Sequence, residues 1–203
     1  MTETEIISKV RAIMNEIGEE ASLSLLSEDT VKMDEYIKSV IPDAVNIIIE
    51  NCPNRCVNRK TDTTTKVSDG VIIKPDDYVR LIALQLTGWK RMVSLTYPIG
   101  SKQYKLQTNE FTTAGVNKPV AIDSYTADKQ ILLCYPKESS VALFVYEAKY
   151  NSADGLKLDS SDPVAIAVCY MCASLVYSIF ENQNTAKEMR DLSLSMLVQK
   201  DNV

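Results

Sequence analysis

Residues 163–180 read PVAIAVCYMCASLVYSIF and carry no charged side chain. A helix that is apolar nearly all round has to be covered on all sides by other elements. Asp162 or Ser161 offers an N-cap before it, and Pro163 suits the first helical position, where a missing N–H costs nothing. A run of about eighteen uncharged residues is the lower edge of a membrane span. Here Ala, Ser, Cys and Tyr dilute its hydrophobicity and no basic cluster flanks it, so the expectation is a buried helix and no membrane span.

The same run contains a CxxC, Cys169 and Cys172, which admits three readings. A thioredoxin-type pair stands at the start of a helix after a strand, where the dipole lowers a thiol pKa. Cys169 instead lies well inside the helix, and no Lys or Arg occurs between 158 and 186. A four-thiolate zinc site would add Cys52 and Cys56, yet zinc ribbons set their CxxC on tight turns. The third reading is packing. Ala165, Cys169, Cys172 and Ala173 fall at i, i+4, i+7 and i+8, a seam of small side chains against which another helix can pack closely. The pair is therefore expected to be core. The five cysteines are an odd number, and the N-terminus has neither a basic region nor an apolar one. A reducing compartment and free thiols follow as expectations.

The remainder of the chain divides by texture. Ile6, Ile7, Val10, Ile13, Met14 and Ile17 trace one face of a first helix, which ends near Gly18. From about Glu28, Met33, Ile37, Val40, Ile41, Ala44, Ile47 and Ile48 trace a second, with a kink or a break expected at Pro42. From Val71 to Tyr150 the runs are short, rich in Val, Ile, Leu and Tyr, and bounded by turn formers. YVRLIALQL, KRMVSLTYPI, ILLCYP and VALFVYEAKY read as strands, the last two as a hairpin, and NEFTTAGVNKP as a loop. After residue 180, TAKEMRDLSLSML predicts a last helix with Met189, Leu192, Met196 and Leu197 on one face, followed by a loose QKDNV. The expected fold is α+β. Helices from 1–56 and 159–203 form a bundle, a β-rich insertion spans 57–158, and the whole is one domain.

With 45% apolar and 24% charged residues, the chain is globular in composition. It has no histidine, which removes His-dependent triads and the common zinc, copper and non-haem iron sites. The net charge of −5 is unevenly distributed, acidic over residues 1–50 and basic over 54–105. That split does not suit a nucleic-acid binder, which needs a strongly basic domain, but it can orient copies of one chain against each other. Asp69, Asp76 and Asp77 fit turn chemistry better than a cation site or an acid–base pair. Gly100, Gly115 and Gly155 stand apart, so no phosphate-binding glycine motif exists. Trp89, Lys90 and Arg91 form a possible interface anchor, against the alternative of a tryptophan packed in the sheet with its two bases in solvent.

KPDDYVRLIALQLTGWKRMVSLTYP, QYKLQTNEFTTAGVNKPVA and ILLCYPKESSVALFVYEAKY, followed by an alanine-containing helix and a closing short helix, resemble head-to-tail connector proteins of tailed Bacteroides phages, the crAss-like group among them. The likeness covers roughly residues 30–200 and rests on order and texture, with DDYVRL, GWKR and NKPV as its best local match. It implies a non-enzymatic virion structural protein, made in the bacterial host cytoplasm and placed at the head–tail junction. It further implies a ring, a dodecamer in that group, seated on the portal protein and meeting other tail or ring proteins, with packaged DNA passing through without sequence-specific contact. It assigns no catalytic, cofactor or metal residue to this chain. The alternatives are another tail-completion or internal virion protein, and a cysteine-based metal or redox protein.

Overall fold

The computed structural model describes residues 1–17, 27–52, 57–62, 64–152, 155, 158–160 and 162–198. Gly18, Cys56, Ser161 and the terminal QKDNV lie outside them. The chain is α+β, and it separates into two compact units, Met1–Val57 with Tyr150–Val203, and Asn58–Lys149.

The first unit is a bundle of α1 (Glu3–Ile17), α2 (Ser27–Asn51), α4 (Pro163–Ile179) and α5 (Gln183–Val198). Its centre is α4, on which α1, α2 and α5 all pack. Asp162 caps α4 by accepting from the Val164 N–H at 2.9 Å, and Pro163 occupies the first turn. Val164, Val168, Met171, Val176 and the whole small-residue seam are buried. Around α4, α1 contributes Ile6, Val10 and Met14, and α2 contributes Ile37, Ile41, Val45, Ile48 and Ile49. Each such side chain contributes about 1.5–3 kcal/mol by leaving water. Pro42 does not divide α2, which runs as one helix from Ser27 to Asn51.

The face of α5 differs from the expected one. Ala186, Met189 and Ser193 are buried, whereas Leu192 is 43% exposed. Small residues turn inward because α5 lies close against α4, as the Ser193 and Ser174 hydrogen bonds between the two helices require.

The second unit holds two sheets, ordered β1-β8-β4 and β2-β3-β7-β6-β5. The strands are β1 (Arg59–Thr61), β2 (Val67–Ser68), β3 (Val71–Ile73), β4 (Tyr78–Leu86), β5 (Thr96–Pro98), β6 (Val120–Tyr125), β7 (Gln130–Tyr135) and β8 (Val141–Ala148), with a short helix α3 (Lys102–Gln107) between β5 and β6. Both sheets share one core, in which Ile72, Ala121, Leu132 and Cys134 meet Leu81, Leu84, Phe144 and Tyr146.

The hairpin expected from β7 and β8 does not form. β7 pairs with β6 and β3, while β8 pairs with β4 and β1. The connection between them spends its backbone groups elsewhere. Glu138 O accepts from Gly70 N at 3.2 Å and Ser140 O from Thr87 N at 3.1 Å, and Pro136 has no N–H to give. KRMVSLTYPI is likewise not a full strand. Only Thr96–Pro98 pairs within it, apart from an isolated bridge between Val93 and Leu84. β5 runs parallel to β6, and a parallel pair needs a crossover of about a dozen residues or more. α3 and the loop after it supply that crossover.

Candidate interaction surface

Between β4 and β6, residues 87–119 form an arm fixed at several points. Trp89, 3% exposed, is its root, and its indole N–H donates to the Pro136 carbonyl at 3.0 Å. Gln85 Nε2 donates to Trp89 O at 2.9 Å, and Leu84 and Val93 exchange both backbone bonds at 2.8 Å. Lys90 N donates to Val116 O at 2.9 Å, which ties the two ends of the arm together. Ser101 caps α3 by accepting from Tyr104 N at 3.2 Å. Beyond α3, Gln107 Oε1 accepts from Ala114 N at 2.7 Å.

This ordered scaffold leaves Met92, Leu95, Ile99, Leu106 and Phe111 exposed, Phe111 by 89%. Lys90, Arg91, Lys102, Lys105 and Lys118 are exposed on the same stretch, which has Glu110 as its only acid. Large apolar side chains held outward beside bases on one ordered stretch make the arm the candidate interaction surface of the described residues. Of the three residues singled out in the sequence, Trp89 is thus packed in the unit's core while Lys90 and Arg91 stand at the surface. Met92, Leu95 and Ile99 were not legible, because a short strand-like run does not reveal which face is covered, whereas Phe111 falls in the run read as a loop. The signal was present in the charge imbalance of residues 87–119.

The charged groups buried in the β unit serve the fold. Lys74 Nζ lies 2.5 Å from Asp123 Oδ1 and 4.7 Å from the centre of the Tyr78 ring. Thr96 Oγ1 donates to the other carboxylate oxygen of Asp123. Burial, and secondarily the Asp123 charge, raises the Tyr78 hydroxyl pKa. Glu147 is fully buried on β8, with Arg59 and Arg80 as its cross-strand neighbours. It accepts from Asn58 N at 2.8 Å and pairs with Arg80 at 3.3 Å. The three aspartates singled out in the sequence do not converge. Asp69 lies in the β2–β3 turn and pairs with Lys137 at 2.7 Å. Asp76 and Asp77 form the turn before β4, where Asp77 accepts from Lys60 at 2.9 Å and from Tyr146 at 3.1 Å.

Cys169 and Cys172 are buried inside α4 with Cys52 and Cys134 buried elsewhere. Burial pushes the Cys169 thiol up to about 11 and the Cys134 thiol up to about 12, and it raises Cys172 as well. A thiol held protonated in an apolar interior is neither a good nucleophile nor a ready ligand. Cys56 lies outside the described residues. Among the described residues, no three His, Cys, Asp or Glu side chains gather as a cation site, and no helix is long and apolar enough to cross a membrane.

No protein-family model matches the chain, and no curated protein matches it.

Proposed function

We propose that the protein is a non-enzymatic virion structural protein that forms a ring in the head-to-tail connector of a tailed phage. The observation that carries this reading is the opposite charge of two stretches of one chain. The arm is basic and studded with exposed apolar residues, while residues 1–50 hold an excess of acids. Complementary patches at different places on identical subunits make head-to-tail contacts, and head-to-tail contacts close into rings when the rotation allows. The buried thiols, with raised pKa values, and the aspartates consumed in turns and ion pairs support a structural role. The resemblance adds the place, the portal of a phage of the crAss-like group, and a dodecameric ring through which packaged DNA passes.

The test is negative-stain electron microscopy of the purified protein mixed with the portal ring of the same phage. Added density with the portal's rotational symmetry is the expected result. A bare portal beside unbound protomers moves the protein to another site in the tail or inside the capsid. Absence from purified virions ends the reading.

A further inference from the structure

We infer that the arm of one copy, residues 87–119, docks on one face of α2 in a second copy of this chain. The inference deepens the ring reading and rests on it. Among the α2 acids whose side chains are described, the exposed ones are not spread evenly. Glu35, Asp43 and Glu50 are exposed, and at about 100° per residue the three fall within an arc of roughly 80°. Tyr36, 42% exposed, and the half-buried Ile47 border the same arc. On the other side of α2, Lys38 pairs with Glu3 at 2.9 Å and Asp34 with Arg11 at 2.7 Å, contacts internal to the helical unit. The acidic face is therefore separate from the ion pairs that hold α1 to α2, although Asn46 within the same arc holds the Tyr150 backbone, donating to its carbonyl at 3.2 Å and accepting from its N–H at 2.7 Å, so that the acids flank this contact.

The chemistry of the two surfaces is complementary. Lys90, Arg91, Lys102 and Lys105 of the arm meet Glu35, Asp43 and Glu50. Met92, Leu95 and Phe111 have Tyr36 and Ile47 to cover, and Tyr36 already packs edge-on against the exposed Phe180 at 5.5 Å. Duplex DNA, the other partner a basic surface suggests, offers phosphates to the bases but takes up a nearly fully exposed Phe111 only at the cost of unstacking a base step. An acidic helix face with an apolar border satisfies both halves of the arm. The arm is also preorganised by Trp89, the Val93–Leu84 bridge and the α3 cap, so little order has to be gained on docking.

The experiment uses the full chain in equal parts unlabelled and nitrogen-15-labelled, cross-linked with a carbodiimide and read by mass spectrometry. It is run on the free protein and on its mixture with the portal ring. The expected products are mixed-isotope links joining Lys90, Lys102 or Lys105 to Glu35, Asp43 or Glu50. The double variant Lys102→Glu, Lys105→Glu weakens self-association roughly tenfold or more, because several attractive pairs become repulsive. Adding Glu35→Lys and Asp43→Lys restores it, which a misfolded arm does not allow. Inter-copy links confined to other residues, the absence of mixed-isotope links, or an arm whose reversal abolishes only duplex-DNA binding each overturn the docking inference. Ring density on the portal without arm–α2 links sinks this inference alone. Arm–α2 links in the free protein with a bare portal sink the connector reading instead.

Discussion

Ser193 donates its hydroxyl hydrogen to the carbonyl oxygen of Ala167 at 2.7 Å, deep between α5 and α4. Ser174 returns the same bond, donating to Ala186 O at 2.7 Å. The two bonds face in opposite directions, and both serines are buried. They fix the helices at a separation that only small side chains tolerate. Ser193→Ala removes one bond and is expected to cost about 1 kcal/mol. Ser193→Leu forces the helices apart and costs a further 1–3 kcal/mol or so. Helical circular dichroism in a urea titration reads both changes. The fluorescence of Trp89, the only tryptophan, reports the β unit in the same titration.

The buried thiols give the helical unit a pH dependence of fixed sign. Cys169 keeps its proton to about 11 in the folded protein, whereas an ordinary thiol loses it near 9.0. The unfolded chain therefore releases a proton first as the pH rises. The stability contributed is complete below pH 9.0 and is lost progressively toward about 11. Burial shifts Cys172 and Tyr177 in the same direction. Urea midpoints followed by helical circular dichroism should fall across that window. The variant Cys169→Ala should fall less steeply, whatever its stability at neutral pH. An unchanged slope in the variant would show that Cys169 titrates in the folded state as it does unfolded.

Local pattern made some of this architecture legible and left long-range pairing hidden. The uncharged run 163–180 announced a buried helix, and Asp162 with Pro163 announced its start, because both signals act within one turn. YVRLIALQL is β4 residue for residue, since β-branched and apolar density marks a strand wherever it pairs. What β7 and β8 pair with depends on residues far along the chain, so proximity in sequence suggested a hairpin that the two sheets do not contain. α3 went unread because six residues carry too little periodicity, although Ser101 after Gly100 was a capping signal. Leu192 shows the limit of apolar spacing: a close helix contact selects small residues, and the larger one is turned out. The same limit hid the arm, whose apolar side chains look from the sequence like ordinary core.

Trp89 anchors the arm from within the core, so it should behave as a structural residue. Its emission is expected to be blue-shifted and weakly quenched by acrylamide in the native protein. Trp89→Phe keeps most of the apolar contact but leaves the Pro136 carbonyl without its indole donor. A loss of about 1–3 kcal/mol follows for a buried group left unpaired. Near-ultraviolet circular dichroism against urea measures it. A variant as stable as the parent would remove Trp89 as the arm's anchor.

Two carboxylates of the β unit differ in burial and in what they hold. Asp123 is partly open to solvent, with a side chain 36% exposed, and it faces Lys74 and Thr96. Glu147 is fully buried and holds the Asn58 N–H and the Arg80 guanidinium. Removing one partner of a buried pair costs up to about 3–5 kcal/mol, and since the Arg80 side chain is 23% exposed the loss on removing Glu147 falls toward the lower end of that range. Lys74→Met leaves the buried Oδ1 of Asp123 unpartnered, but Thr96 still holds the other oxygen and the rest of the carboxylate is partly open, so the cost should be smaller, about 1–2 kcal/mol. Glu147→Ala should cost more, and Glu147→Gln should lie between, since an amide oxygen still accepts from Asn58. Trp89 fluorescence in urea ranks the three. The order Glu147→Ala, Glu147→Gln, Lys74→Met is the expected one. A Glu147→Gln variant at parent stability would mean that the Asn58 hydrogen bond, and not the charge opposite Arg80, is what Glu147 supplies to β8.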